Sequence, residues 1–270
     1  MFKLLVWKSF FDIVREMKKY NTKTAEIDLH FQYPIKNDPR LAKLKHTSGI
    51  KLDTTKDELN KTKDVIGYVH SLFTHDGDNV PSSADPLTIL KEAKTGQSFR
   101  CVEYSTLATG LLWANGIPAR TIGLKTSDVE IREYGAGHVV IEFWSKDLNK
   151  WVMSDVQAGI IPEQNATPLS TYELSQVLDQ GQSVTYVPVT NSRFSQDSTY
   201  DDKVNYSDWI KDYLYFIDTP VKLTLGNEDK RKQQIAMLIP LEAKPPTMFQ
   251  QAFKMNAVYT HSVLDFYPNI

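Results

Sequence analysis

The sequence has only one cysteine, Cys101, in a chain of 270 residues. A single cysteine excludes an internal disulfide, and it excludes any metal or redox site built on a C-x-x-C pair. The composition therefore gives no reason to place the protein in an oxidising compartment. Two interpretations of the cysteine remain: a small buried apolar residue, which is a frequent role of free cysteines, or a reactive thiol.

The sequence also lacks a surplus of charge and a long apolar run. Its 31 basic and 33 acidic residues give a net charge of −2, so nothing favours binding to nucleic acid or to an anionic membrane surface. No apolar run is long enough to span a bilayer, and the first one, residues 4–7, is too short for the core of a signal peptide. We therefore expect a cytoplasmic protein without a membrane span.

What the sequence does contain is a pattern of helices followed by strands. Helical spacing of apolar residues dominates the first part and strand-like segments dominate later, which predicts the α+β class. We divide the chain into an N-terminal helical segment (1–50), a core (51–165) and a C-terminal part (166–270) that completes the same domain or forms an accessory lobe. The first twenty residues predict an amphipathic helix that packs on the body of the protein. The less favoured alternative is a helix on a membrane surface.

Cys101 lies at the first position of a helix predicted over residues 101–115. The N–H groups at the start of a helix have no intrahelical partners, and the positive end of the helix dipole lies there too. Both favour a negatively charged thiolate, and Arg100 adds a positive charge beside it. This position is typical of a cysteine nucleophile.

A cysteine nucleophile needs a base, and His138 is the candidate among the six histidines. His138 begins the predicted strand "GHVVIEFWS", and the loop "KDLN" connects it to "KWVMSD", which ends in Asp155. If the hairpin turns near residues 146–147, His138 lies opposite Asp155 and the two side chains share a face. A slip of one residue would separate them. Apolar residues on both faces of this hairpin predict a sheet that is covered on both sides.

Other interpretations of these residues stay open. Cys101 can be a buried core thiol, His138 a hydrogen-bonded core histidine and Asp155 a turn former at a strand end. The same three residue types can also bind zinc, although a catalytic zinc usually brings a second histidine. Asp76, Asp78 and Asp85 hint at calcium, but the EF-hand spacing is absent and a solvated loop is favoured. We expect no metal and no cofactor.

The ordered set of motifs resembles the transglutaminase-like superfamily. The matching segments are the cysteine at a helix start, "ANGIPAR", "GHVVIEFW" and "KWVMSD", which together lie in the region predicted as the core. The resemblance implies a papain-like α+β core whose members attack carboxamides or peptide bonds through a thioester. The sequence departs from many members at Phe99, Val102 and Val140, where they have Gly, Trp and Trp. With these departures, amide hydrolysis or a narrower acyl transfer fits the sequence as well as protein cross-linking does.

The resemblance also implies roles for individual residues. Cys101 is the implied nucleophile, His138 the general base and acid, and Asp155 the residue that orients the imidazole. The backbone N–H of Cys101 is one implied oxyanion donor, Gln97 is a candidate for the second, and Trp151 is a candidate substrate-binding residue. The implied function is a thiol enzyme that acts on amide bonds of a peptide or protein substrate. The alternative is the same fold used as a non-catalytic peptide-binding or scaffold module.

Overall fold

The structure, a computed structural model, describes residues 17–34, 37–190, 205–223, 225 and 232–268. The first sixteen residues, which carry most of the predicted N-terminal helix, lie outside this part of the chain. None of the helices in the described ranges is long and apolar enough to cross a bilayer.

The regular elements follow the predicted order, with helices first and most strands later. The helices of the described residues are α1 (Pro39–Ser48), α2 (Glu58–Leu72), α3 (Pro86–Lys94), α4 (Cys101–Ala114), α5 (Thr171–Asp179), α6 (Tyr206–Tyr213) and α7 (Val263–Phe266). The strands are β1 (Ala119–Lys125), β2 (Gly137–Ser145), β3 (Lys150–Ser154), β4 (Ile160–Gln164), β5 (Thr167–Pro168), β6 (Thr185–Pro188), β7 (Phe216–Pro220), β8 (Ile235–Leu238), β9 (Met248–Phe249), β10 (Phe253–Lys254) and β11 (Ala257–Thr260). The predicted α+β class is confirmed.

A six-stranded sheet organises the fold. Its strand order is β11–β8–β7–β1–β2–β3, and all neighbours are antiparallel except the pair of β11 and β8. Strands β7, β8 and β11 come from the C-terminal part of the chain and continue the sheet that β1, β2 and β3 begin. Strands β4, β5 and β6 form a second sheet, and β9 and β10 form a short hairpin.

Helices α1 to α4 cover one face of the sheet, with α4 at the centre. Leu107 and Leu111 of α4 are fully buried. Gly110 allows the neighbouring helices to approach, because a Cβ atom at this position would lie 2.8 Å from Pro86 of α3 and 3.0 Å from Leu44 of α1. Any side chain here would push these two helices away from α4.

Elements of the C-terminal part cover the opposite face. Leu174 of α5 and Ile210 of α6 belong to one apolar cluster with Val140 of β2 and Met153 of β3. Ile141, which points the other way from Val140, belongs to the core beneath α1 to α4. The prediction of a sheet covered on both sides is confirmed, and the hairpin that carries His138 lies between two apolar layers.

Two segments of the C-terminal part differ from their sequence pattern. The spacing over residues 206–217 predicts a single helix, but α6 ends at Tyr213 and β7 begins at Phe216. The apolar residues at 221–225 predict a strand; β7 ends at Pro220, and beyond it the described residues of this segment form an isolated parallel bridge between Lys222 and Gln32. Strand β7 pairs with β1 on one side and β8 on the other, so pairing within the sheet overrides the local helical pattern.

Candidate active site

Cys101 is the first residue of α4, and its side chain is half-buried. The preceding residue, Arg100, is bound to Glu103 of the same helix. The Glu103 carboxylate accepts a hydrogen bond from the backbone N–H of Arg100 at 3.3 Å and from its guanidinium Nη2 at 2.9 Å. Glu103 therefore offsets much of the positive charge that Arg100 was expected to add beside the thiol.

The first turn of α4 is held against β2 by its neighbouring residues. Ser105, one turn after Cys101, donates a hydrogen bond from Oγ to the carbonyl oxygen of Val139 at 3.0 Å. Tyr104 donates a hydrogen bond to the carbonyl oxygen of Phe73, just past the end of α2, at 3.0 Å. Because Val139 directly follows His138, the Ser105 bond holds the start of α4 beside that histidine, while the Tyr104 bond connects α4 to the end of α2.

The structure brings Cys101, His138 and Asp155 together. The Nε2 atom of His138 lies 2.7 Å from Oδ2 of Asp155, and both side chains are buried. Cys101 and His138 line the same cavity, and the thiol contributes to the raised pKa of the imidazole. Because Asp155 engages Nε2, the other ring nitrogen, Nδ1, is left for the thiol. The imidazole thus lies between the carboxylate, which it contacts directly, and the thiol, with which it shares a cavity.

The register of the β2–β3 hairpin differs from the expected one by two residues. Ile141 pairs with Ser154 and Ser145 pairs with Lys150, so the predicted loop of residues 146–149 is present but its midpoint lies one residue later than expected. The predicted direct pairing of His138 with Asp155 is therefore wrong. Because side chains alternate with a period of two, the two residues still share a face and meet diagonally.

Each member of the buried His138–Asp155 pair changes the pKa of the other. Burial favours the neutral imidazole, but the charge and hydrogen bond of Asp155, with smaller effects of Cys101, outweigh burial and raise the pKa of His138 to about 10. Burial also opposes ionisation of Asp155, yet the charge of His138 and several hydrogen bonds hold the pKa of this carboxyl below its usual value. At neutral pH the pair is therefore an imidazolium and a carboxylate.

Two further groups donate hydrogen bonds to Asp155. The backbone N–H of Ala158 donates to Oδ1 at 2.9 Å, and the hydroxyl of Tyr206 donates to Oδ2 at 2.7 Å. Tyr206 is the first residue of α6, and its ring is buried. With these donors Asp155 accepts hydrogen bonds on both oxygens, which fixes the direction in which it orients His138.

Three aromatic residues of α6 cover the His138–Asp155 pair. Besides Tyr206, the ring of Trp209 meets the imidazole edge to face with centroids 5.0 Å apart, and that of Tyr213 lies 6.3 Å away. The sequence pattern assigns Tyr206 and Trp209 no role, and Tyr213 belongs to an aromatic segment, "DYLYFIDTP", for which core packing is favoured over the lining of a substrate groove. Their spacing of three and four positions on one helix face was the available signal, but the same pattern is typical of ordinary core packing.

We expect Tyr206→Phe to move the acid limb of the Cys101 alkylation profile to higher pH, by about one pH unit. The reason is that the Tyr206 hydrogen bond lowers the pKa of Asp155. Without this hydrogen bond, the carboxyl group takes up a proton at a higher pH, and its charge then no longer holds the imidazolium of His138. The measurement is the rate of iodoacetamide labelling between pH 4 and 8.

The matched control is Tyr186→Phe. Tyr186 packs against Tyr206 with ring centroids 4.8 Å apart, but its hydroxyl bonds Ser207 at 2.7 Å instead of Asp155. This variant should leave the profile in place. Equal shifts in the two variants would mean that Tyr206 acts only through packing.

Cys101 and His138 open into a cavity of about 280 Å³. Gln97 and Trp151 are not among its lining residues. Gln97 is exposed, and its side-chain oxygen accepts a hydrogen bond from Asn79 at 3.2 Å. Trp151 is buried with its ring 4.4 Å from the guanidinium carbon of Arg120. The roles expected for Gln97 in the oxyanion hole and for Trp151 in substrate binding stay predictions.

The site offers little to a metal ion. Within the part of the chain that the structure describes, no three side chains of His, Cys, Asp or Glu converge as metal ligands would. Near the thiol, Nε2 of His138 already engages Asp155. The residues present are arranged for proton transfer.

Comparison with known proteins gives a family for this arrangement. Residues 47–156 match the transglutaminase-like superfamily, and no curated protein matches the chain. A solved structure of a candidate cysteine protease from Cytophaga hutchinsonii aligns with a TM-score of 0.35 and 10% identity, over 66% of this chain and 53% of that one. The chain thus spans about half the length of that protein. Residues 47–156, which contain Cys101, His138 and Asp155, belong to the transglutaminase-like superfamily.

Proposed function

We propose that this chain is a thiol enzyme that acts on amide bonds, by hydrolysis or by acyl transfer to an amine. The observation that carries the proposal is the convergence of Cys101 and His138 on one cavity, with the imidazole of His138 bound to the buried carboxylate of Asp155. A nucleophile, a base and an orienting carboxylate in this order are the arrangement that cysteine-based acyl transfer requires. Membership of the transglutaminase-like superfamily supports the same proposal.

The first half of the reaction forms a thioester. The Cys101 thiolate attacks the carbonyl carbon of the amide, and the carbonyl electrons move to its oxygen. The intermediate collapses as its C–N bond breaks, and the His138 imidazolium gives its proton to the departing nitrogen. The backbone N–H of Cys101 stands at the first position of α4, where a helix has no intrahelical acceptor for it, so it can donate to the oxyanion.

The second half releases the acyl group. His138, now neutral, takes a proton from water or from an amine as that molecule attacks the thioester carbonyl. The C–S bond then breaks and the thiolate and imidazolium are restored. Asp155 keeps Nε2 of the imidazole engaged throughout, so that Nδ1 faces the reacting atoms in both halves. Water gives a carboxylic acid and an amine gives a new amide.

The test is a library of peptides with carboxamide side chains and peptide bonds, incubated with the protein with and without hydroxylamine. We expect the wild type to release ammonia or an amine, and to form hydroxamates when hydroxylamine is present. We expect Cys101→Ala to form none of these products, because no thioester can be made. Intact-mass measurement of the wild type during turnover should show the acyl adduct.

Two results would overturn the proposal. One is product formation that persists in Cys101→Ala. The other is a protein that turns over no substrate and whose Cys101 is inert to iodoacetamide while the fold is intact. The second result would favour the alternative of a non-catalytic binding module.

A further inference from the structure

The cavity beside Cys101 lies on the face of the sheet between the start of α4 and the β9–β10 hairpin. Its lining includes Gly123 of β1, Gly137 of β2 and Asp218 of β7, with Phe249 and Phe253 from the hairpin. A volume of about 280 Å³ is just below the roughly 300–1,000 Å³ of pockets that hold whole small ligands. The cavity therefore has room for one large side chain of a substrate whose carbonyl is at Cys101.

One part of the cavity wall is a buried ion pair. The ammonium of Lys125 binds Oδ2 of Asp218, and both side chains are less than a tenth exposed. The second oxygen of Asp218, Oδ1, accepts no hydrogen bond from the described residues, and Lys125 uses only one of its three N–H donors on a carboxylate. The pair therefore presents an unused acceptor next to unused donors.

The other walls are mostly apolar and aromatic, with Thr106, Thr121 and Gln233 as further polar residues. The ring of Phe249 lies against Gly137, where a Cβ atom would come within 2.9 Å of the ring. The centroids of the Phe249 and Phe253 rings are 5.5 Å apart. The hairpin that carries both rings is tied down by Glu130, whose carboxylate accepts hydrogen bonds from Thr247 at 2.7 and 2.8 Å. The aromatic wall is thus a fixed part of the cavity.

The charge balance of the ion pair restricts which substrate side chains can occupy the cavity. The ion pair is neutral as a whole, so an added ammonium or carboxylate would leave a net charge in a buried space. A wholly apolar side chain would fill the aromatic part but would cover Oδ1 of Asp218 without giving it a donor. The occupant that satisfies both parts is uncharged, aromatic along its length, and able to donate and accept a hydrogen bond at its tip.

We infer that this cavity is a substrate subsite for a tyrosine-type side chain, whose phenol donates to Asp218 and accepts from Lys125 while its ring packs against Phe249 and Phe253. The inference rests on the proposed function, because it places the residue that bears the phenol next to the carbonyl attacked by Cys101. It makes Lys125 and Asp218 specificity-determining residues of the reaction.

The experiment uses peptidyl chloromethyl ketones that differ only in the side chain beside the reactive carbon: Tyr, Phe, Lys or Glu. The thiolate displaces chloride and forms a C–S bond, which intact-mass measurement follows, and Cys101→Ala shows that this residue is the one labelled. We expect the Tyr reagent to react about tenfold faster than the Phe reagent, and faster than both charged ones, because a hydrogen bond to a buried carboxylate is gained.

The matching variant replaces both charges together, as Lys125→Met with Asp218→Leu, since removing one would leave its partner buried and unpaired. Within this variant the Tyr and Phe reagents should react at about equal rates. A Phe reagent that equals the Tyr reagent in the wild type, a preference for Lys or Glu, or a Tyr preference that survives in the double variant would each overturn the inference.

Failure of the proposed function would give a different experimental result from failure of the subsite alone. In that case Cys101 of the wild type would react neither with the ketones nor with iodoacetamide, and the subsite would fall together with the nucleophile it depends on. A thiol that reacts readily with iodoacetamide, but does not discriminate among the ketones, overturns the subsite alone.

Discussion

His138→Ala is expected to slow alkylation of Cys101 by iodoacetamide at pH 7 by about tenfold or more. An isolated thiol is only about 3% ionised at pH 7, whereas an imidazolium partner keeps the thiolate populated. The roughly thirtyfold difference in thiolate population gives a smaller difference in alkylation rate, because a stabilised thiolate is a weaker nucleophile. His138 can act in this way because its pKa is raised to about 10, so it carries its charge at pH 7.

The single cysteine makes this measurement specific, since every alkylated molecule reports on one residue. His261→Ala is the matched control: this histidine is partly buried and contacts the carbonyl oxygen of Ile239 at 3.1 Å, outside the residues that line the cavity. The control should leave the alkylation rate unchanged. An unchanged rate in His138→Ala would mean that the imidazole does not stabilise the thiolate.

Arg120→Met is expected to lower the free energy of unfolding by about 3–5 kcal/mol, because it leaves the buried carboxylate of Glu142 without its cation. The Arg120 guanidinium binds Glu142 at 2.8 and 3.1 Å and the carbonyl oxygen of Phe266 at 2.8 Å. Neither charged side chain has any exposed area. Urea denaturation measures the loss as a lower midpoint at an unchanged slope.

The surroundings of Arg120 explain the size of this effect. Its guanidinium lies between aromatic rings, with Trp151 at 4.4 Å and Tyr267 at 4.9 Å, so a change there disturbs a packed centre that joins β1, β3 and the C-terminal segment. The control is Arg132→Met on an exposed pair with Asp128 at 3.1 Å, where we expect a loss of about 0–1 kcal/mol. Similar losses in the two variants would contradict the account of a buried, fully bonded ion pair.

Much of the candidate site could be predicted from the sequence because its parts are local. The start of α4 at Cys101 and the β2–β3 hairpin follow from helix and strand patterns over short windows. The hairpin register was wrong by two residues, yet His138 and Asp155 still met, since an error of an even number preserves the face. The packing of Trp151 on Arg120 also links two segments that the sequence singled out separately.

The remainder depends on contacts between distant parts of the chain. Tyr206 reaches Asp155 from 51 residues away, and Lys125 pairs with Asp218 from 93 residues away. Neither pair leaves a periodic trace in the sequence. Strand β7 carries Asp218 into the sheet although the pattern over residues 206–217 favours a helix, so both the strand and the cavity that it lines appear only in the assembled fold.

The most direct test of a thiolate–imidazolium pair at this site is the rate of Cys101 alkylation by iodoacetamide from pH 5 to pH 10, in the wild type and in His138→Ala. We expect the wild type to keep at pH 6 at least about a tenth of its rate at pH 9, and the variant to lose about tenfold for each pH unit below about 8. Two coinciding profiles, both falling as for an isolated thiol, would contradict the role of Cys101 as an activated nucleophile.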